Sequence, residues 1–392
     1  MAPTEAELRA AVGAVEDPEL QRPAGELGMV RAVHAGRRQV RVTLAVPAPT
    51  WPGTDGLVAG VRRALADAGA AGDVRVEVMT DAERTELHAS LARPAGGEPP
   101  PGVAGGHRHA PVPGAAPQPL GHEEGRPNRF MVPGSRTRVV GVSSGKGGVG
   151  KSSVTVNLAV ALAAAGHQVG LLDADVYGFS VPRMLGVERQ PFVLDQLLVP
   201  PVVHGVRVLS MGFFVGDDQP VVWRGPMLHK ALEQFLVDAY WGEPDFLLID
   251  MPPGTGDVAL SLGQYLPRSE IVVVTTPQPA AQRVAQRSAL AARTLKLPVR
   301  GVIENLSWFT ADDGTRYELF GSGGGEALAA SLGVPLLGRI PLVPAVREGG
   351  DVGIPVRVAD PSSEAAAAFD ALAERLVALG PARVYRRELS VR

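Results

Sequence analysis

Cysteine is absent from this chain of 392 residues, so no disulfide braces it and no thiolate is available as a ligand. That absence alone does not fix a compartment. No apolar stretch approaches the roughly 20 residues that a membrane-spanning helix needs. The opening M-A-P-T-E-A-E-L-R-A is acidic and amphipathic rather than a secretory leader. A cytoplasmic protein with no membrane partner is expected. An excess of one charge is also missing: Lys and Arg number 38 against 41 Asp and Glu, a formal net charge of −3, which provides no general nucleic-acid footprint.

What is present suffices for a large core, since 45% of the residues are apolar and 20% charged, and the length suggests two domains. Residues 93–133 stand apart. They are rich in Pro, Gly and His with few large apolar side chains, and read as a linker. His107, His109 and His122 within it read as solvated tether residues, with metal binding as the alternative. Residues 1–92 alternate a helix at 5–15, strands at 30–34 and 39–45, a helix at 55–68 and a strand at 74–79, a small α+β pattern. Asp17 and Glu26 there are either functional or cap and surface residues.

Residues 134–385 alternate β and α units, which predicts a doubly wound, mostly parallel α/β sheet. Its first strand, 138–143, runs into G-K-G-G-V-G-K-S (145–152), followed by an Ala/Leu/Val-rich helix at 153–165. Glycines let successive backbone N–H groups turn inward around phosphates at a helix N-terminus, Lys151 reaches the β/γ-phosphates, and Ser152 ligates Mg²⁺. Gly145, Lys146, Gly147, Gly148, Val149, Gly150, Lys151, Ser152 and Ser153 are therefore the expected nucleotide contacts.

Two more strand ends carry acids. The second strand, 169–172, ends in D-A-D-V-Y-G, placing Asp173 and Asp175 where α/β sheets bind ligands, although a strand-end acid pair also caps turns. The run F-L-L-I-D ends at Asp250, which reads as the Mg²⁺-holding aspartate. The stiff loop 252–257 beyond it has the make-up of a switch segment that reports the γ-phosphate. Segments 199–211 and 220–230 read as strands around a turn, with a helix at 226–239, and 362–379 reads as a docking helix.

The phosphate loop with its extra Lys146 resembles the deviant loop of the MinD/ParA/nitrogenase-iron-protein class. That resemblance implies a homodimer in which Lys146 contacts the partner's nucleotide. It also implies that Asp175 positions the attacking water, that Asp173 supports the Mg²⁺ shell, and that Asn305 bonds adenine, so that ATP is the nucleotide. D-A-D-V-Y-G-F-S-V-P-R-M-L-G (173–186), W-R-G-P-M (223–227), D-M-P-P-G-T-G-D (250–257), E-N-L-S-W-F (304–309) and F-G-S-G-G-G (320–325) follow the order of the Mrp/ApbC ATPases. That family implies a carrier delivering iron–sulfur clusters to apoprotein clients. D-P-E-L and E-L-G-M-V (17–20 and 26–30) resemble the small iron–sulfur-assembly domain that precedes the ATPase in many such proteins.

One departure matters. Cluster-carrying members have a C-x-x-C pair just beyond the N-x-S-x-F segment, whereas this chain has Ala311 to Gly314 there. Asp312 and Asp313 suit hard cations rather than sulfur clusters, and Asp-Asp-Gly reads first as a hairpin turn. Three functions follow: a carrier whose cluster is held by unusual ligands or by a partner's cysteines, a cysteine-less ATP-gated scaffold in cofactor maturation, or a positioning ATPase of the MinD/ParA kind. For the third, neither a basic face nor an apolar tail is visible.

Overall fold

In this computed structural model the described residues are 3–36, 39–92, 128–130, 135–176, 178–214, 225–254 and 257–381. His107, His109, His122, Trp223, Arg224 and the tail 385–392 lie outside them. In chain order the first elements are α1 (Glu5–Gly13), β1 (Val30–Ala35), β2 (Val40–Val46), α2 (Thr54–Asp67), β3 (Gly72–Val78) and α3 (Asp81–Ala92). There follow β4 (Arg138–Ser144), α4 (Lys151–Ala164), β5 (Val169–Asp173), α5 (Val181–Met184), β6 (Phe192–Leu194), β7 (Leu197–Val199), β8 (Val202–Val203) and β9 (Val206–Ser210). Next come α6 (Gly225–Val237), β10 (Phe246–Asp250), α7 (Asp257–Tyr265), β11 (Glu270–Thr275), α8 (Pro279–Thr294) and β12 (Val299–Glu304). The chain closes with β13 (Phe309–Thr310), β14 (Arg316–Tyr317), α9 (Gly324–Leu332), β15 (Leu336–Arg339), α10 (Pro344–Val352), α11 (Val356–Ala359) and α12 (Glu364–Ala378).

The chain divides into two compact units. The larger comprises residues 123–191, 201–237 and 244–392. Its sheet has eight strands in the order β15-β12-β11-β4-β10-β5-β9-β8, parallel throughout except for β8 against β9. Strands β4, β5, β9, β10 and β11 are buried along their whole length. That is why they read as unbroken Val/Ile/Leu runs rather than alternating ones: helices cover both faces of a parallel sheet. Helix α4 is buried from Val154 through Leu162 by the same demand, and Val154, Leu158 and Leu162 share one core with Phe369 and Leu372 of α12. Strand order reverses around β4, the position at which such sheets bind ligands. Among the described residues no helix is long and apolar enough to cross a membrane.

The smaller unit contains residues 1–122 together with 192–200 and 238–243. Its sheet is β1-β2-β3, antiparallel and then parallel. Thr4 and Glu7 form a reciprocal cap at the start of α1. The two later segments supply core side chains: Leu194, Val199 and Tyr240 share one buried cluster with Leu20, Leu44 and Trp51. The Trp51 ring meets Phe192 edge-on at 5.3 Å, and Tyr240 donates to the Leu20 carbonyl at 3.2 Å.

Three elements differ from the sequence expectations. Residues 225–230 lie in α6, so the helix expected at 226–239 is present and the overlapping end of the strand expected at 220–230 is not, because Leu228, Leu232, Phe235 and Leu236 bury at helical spacing. Helix α3 was not expected; its Thr80–Glu83 cap is the local signal. The β6/β7 hairpin is short, and its burial depends on residues distant in sequence.

Trp51 is 3% exposed. Trp51→Ala should cost the smaller unit about 3–5 kcal/mol, the range for emptying a large aromatic site, read as a lower denaturant midpoint for its unfolding transition. Phe192→Ala should add less in the Trp51→Ala background than alone, because the two rings share a contact.

Candidate nucleotide site

The site lies at the carboxyl edge of the large sheet, where parallel register aligns the strand ends. Asp250 of β10 is level with Asp173 of β5. Between β4 and α4 the phosphate loop turns through left-handed Gly148 (φ 80°) and Gly150 (φ 77°), conformations that side-chain-bearing residues rarely adopt. Gly145 has a different reason: a Cβ there would lie 2.2 Å from the Ala285 nitrogen of α8. Ser144 Oγ donates to the Lys146 carbonyl at 3.0 Å, fixing the loop's entry.

Lys151 opens α4, and its Nζ lies 2.7 Å from Asp250 Oδ2, 3.2 Å from Ser152 Oγ and 3.8 Å from Asp175 Oδ2. Ser152 Oγ donates to Asp250 Oδ2 at 2.6 Å, and Thr155 Oγ1 to Asp250 Oδ1 at 2.7 Å. Thus three side chains of one helical turn converge on a carboxylate that is fully buried. The ammonium stands where a cation would sit, against the hard oxygens of Ser152 and Asp250, so this donor set fits Mg²⁺. Thr155 was not among the residues singled out from the sequence. Its signal is its place four residues after Lys151, on the same helix face.

Asp173 points elsewhere. Its Oδ1 accepts from the Asp175 N–H at 3.2 Å, and its Oδ2 accepts from the Val181 N–H at 3.3 Å and Ser210 Oγ at 3.1 Å. It ties β5 to α5 and to the end of β9. Burial, and then repulsion from Asp250, pushes its carboxyl up to about 8. Ser210 was likewise unforeseen, visible only as a polar residue ending an apolar strand.

Lys146, half-buried, and Ser153 line the same cavity as Lys151, Ser152 and Asp175, with Pro253 on its wall. The loop after β10 is anchored by Gly254 N–H to the Ser144 carbonyl at 2.9 Å and by Ser288 Oγ to the Gly254 carbonyl at 3.2 Å. Residues 255–256 lie outside the described residues. Asn305, 5% exposed, follows β12, and its Nδ2 donates to the Val149 carbonyl at 2.9 Å.

Where the resemblance places cysteines, β13 and β14 form a hairpin. Asp313 Oδ1 accepts from the Thr315 N–H at 2.9 Å within the turn, which holds its carboxyl below the usual range. Glu364 of α12 accepts from Trp308 Nε1 at 3.1 Å, Thr310 Oγ1 at 2.9 Å and Arg316 at 2.7 Å, while the Arg316 guanidinium lies 4.7 Å from the Trp308 ring centre. Among the described residues no three His, Asp or Glu side chains converge to hold a metal.

In the smaller unit Asp17 is buried and accepts from the Glu19 and Leu20 N–H groups and from Trp51 Nε1. Glu26 is exposed and pairs with Arg22 at 3.3 Å.

Residues 135–377 match the family described as NUBPL iron-transfer P-loop NTPase, and residues 5–78 match one described as iron-sulfur cluster assembly protein. The iron-sulfur cluster carrier protein of Mycobacterium tuberculosis is 43% identical over 380 residues, 95% of this chain and 92% of the relative. The protein of the same name in Bacillus subtilis is 39% identical over 349 residues, covering 86% of this chain and 88% of its own. Among solved structures, a nucleotide-binding protein of Archaeoglobus fulgidus in complex with ADP is 34% identical, with a TM-score of 0.51, and covers 60% of this chain and 93% of that one.

Asp173 provides a pH test. Its folded value of about 8 lies above the ordinary 3.8, so between these values the folded state holds the extra proton. Its contribution is therefore present at low pH and declines as pH rises toward 8. In the nucleotide-free chain Asp173→Asn should flatten that decline in denaturant midpoint; an unchanged slope would assign the proton to another group.

Proposed function

Because the chain belongs to the iron-transfer P-loop NTPase family, we propose that it is a homodimeric, Mg²⁺-dependent ATP-driven switch for iron–sulfur delivery whose partners supply the thiolates around the cargo. The observation that carries the first half is the convergence of Lys151, Ser152 and Thr155 on Asp250 at a helix N-terminus. Polyphosphate entering the loop draws the Lys151 ammonium toward its own charge and leaves Ser152 and Asp250 to hold Mg²⁺. The metal, when bound, neutralises charge on the transferred phosphoryl group. Asp175, whose carboxylate lies 3.8 Å from the Lys151 ammonium, takes the role of orienting the attacking water in this reading. Lys146, on the cavity lining, is the group for a second subunit's nucleotide.

The second half rests on the donor set. A sulfur-bridged cluster is held by thiolates. This chain has no cysteine, and the hairpin in question spends Asp313 on its own turn. The residues present do not fit the cargo, so its ligands come from the client side. An ATP-gated scaffold that never contacts the cluster is the competing reading, favoured by the same hairpin. One experiment separates them: anaerobic reconstitution with iron and sulfide, with and without ATP, of the chain alone, of an apoprotein bearing a four-cysteine cluster site alone, and of the two together, each sized afterwards. The proposal expects no iron on the chain alone and, in the mixture with ATP, iron that co-elutes with a complex of chain and apoprotein. Stoichiometric iron on the chain alone overturns partner ligation, and iron that stays on the apoprotein without co-eluting with the chain favours the scaffold.

The ATPase reading makes further demands. Lys151→Ala should weaken nucleotide binding and cut turnover by about 100-fold or more, whereas Asp175→Ala should still bind ATP and accumulate as a dimer in sizing experiments. Specific activity should rise with protein concentration, and Lys146→Ala should remove that rise. A rate per subunit independent of concentration in the unaltered protein would eliminate the role across the dimer.

A further inference from the structure

The resemblance assigns Asn305 to the nucleotide base, yet the side chain reaches the phosphate loop. Its Nδ2 donates to the Val149 carbonyl at 2.9 Å. The contact is so close that a Cβ on Gly150 would lie 2.3 Å from that nitrogen. Asn305 is held from behind: its own N–H donates to the Thr275 carbonyl at 2.8 Å, and the Ser307 N–H donates to the Ile340 carbonyl at 3.0 Å. The next residue, Leu306, is left-handed at φ 57°, a conformation that persists only where its surroundings impose it.

Val149 sits between two glycines at positive φ, so the peptide joining Val149 to Gly150 has the most permissive residue type on its carboxyl side, where φ of Gly150 helps set its orientation. A trans peptide directs its N–H opposite to its C=O. A donor drawing the Val149 carbonyl toward the end of β12 therefore turns the Gly150 N–H the opposite way, and Gly150 is one of the residues that line the cavity. The apolar Val149 side chain, 2% exposed, anchors the same residue in the core.

We infer that Asn305 is a positioning residue for the polyphosphate: it sets the orientation of the phosphate loop through Val149, whatever base the nucleotide carries. This rests on the nucleotide-binding reading above. With Nδ2 committed to the loop, Oδ1 is the atom left for an amino group on the base. One side chain then links base and phosphate recognition.

The discriminating ligand is inorganic tripolyphosphate, which has the phosphates and no base. Its affinity, measured by competition with ATP in the presence of Mg²⁺, should fall about tenfold in full-length Asn305→Asp, in which a carboxylate oxygen faces the Val149 carbonyl. Asn305→Ser, whose hydroxyl is too short to reach, should show a similar loss, with unfolding midpoints recorded on the same samples. Weakened ATP binding with unchanged tripolyphosphate binding would confine Asn305 to the base and overturn the inference. In the unaltered chain the Asn305 side-chain amide resonances should shift on adding tripolyphosphate alone; unshifted resonances also overturn it. If the unaltered chain binds neither ATP nor tripolyphosphate, the ATPase reading falls and takes this inference with it.

Discussion

The arrangement at the sheet edge depends on one buried carboxylate. Asp250 is fully buried at the end of a five-residue apolar strand, a position costly for a charge unless donors surround it. Those donors come from a single turn of α4: Lys151, Ser152 and Thr155. A helix can present three such groups in one direction only if its first turn meets the strand end squarely, and the glycine turn from β4 into α4 sets that approach. Removing one partner would leave buried polar groups unmatched, so loop, strand end and helix stand or fall together.

The neighbouring Asp173 shows how differently two level carboxylates can be used. Asp250 has an ammonium against it, while Asp173 has backbone N–H groups and the Ser210 hydroxyl. The first is held by an ammonium and two hydroxyls from one helix turn. The second is a brace that holds β5, α5 and β9 at the edge of the same cavity, and its high proton affinity is a by-product of burial beside its neighbour. Asn305 completes the frame from the opposite side of β4, fastening β12 to the loop.

The hairpin at 309–317 is a well-bonded piece of structure rather than a vacancy left by missing cysteines. Glu364 gathers Trp308, Thr310 and Arg316, and the turn closes on Asp313. Chain and family therefore share the P-loop NTPase fold, while the side chains of this hairpin are spent on its own bonding. The smaller unit also departs from a simple tethered module, because residues 192–200 and 238–243 belong to it and put Leu194, Val199 and Tyr240 into its core.

From the sequence alone came everything carried by short range and period: the phosphate loop between strand and helix, the acids closing apolar strands at 173 and 250, the parallel sheet, and the turn at Asp312 to Gly314. These are legible because glycine conformations, strand burial and turn chemistry act within a few residues. Tertiary structure decided which partners those groups meet. Thr155 on Asp250, Ser210 on Asp173, Glu364 under the hairpin and Asn305 on Val149 join residues 37 to 156 positions apart. No local propensity encodes such pairs. They are set by which strands lie side by side and by the requirement that every buried donor and acceptor find a mate.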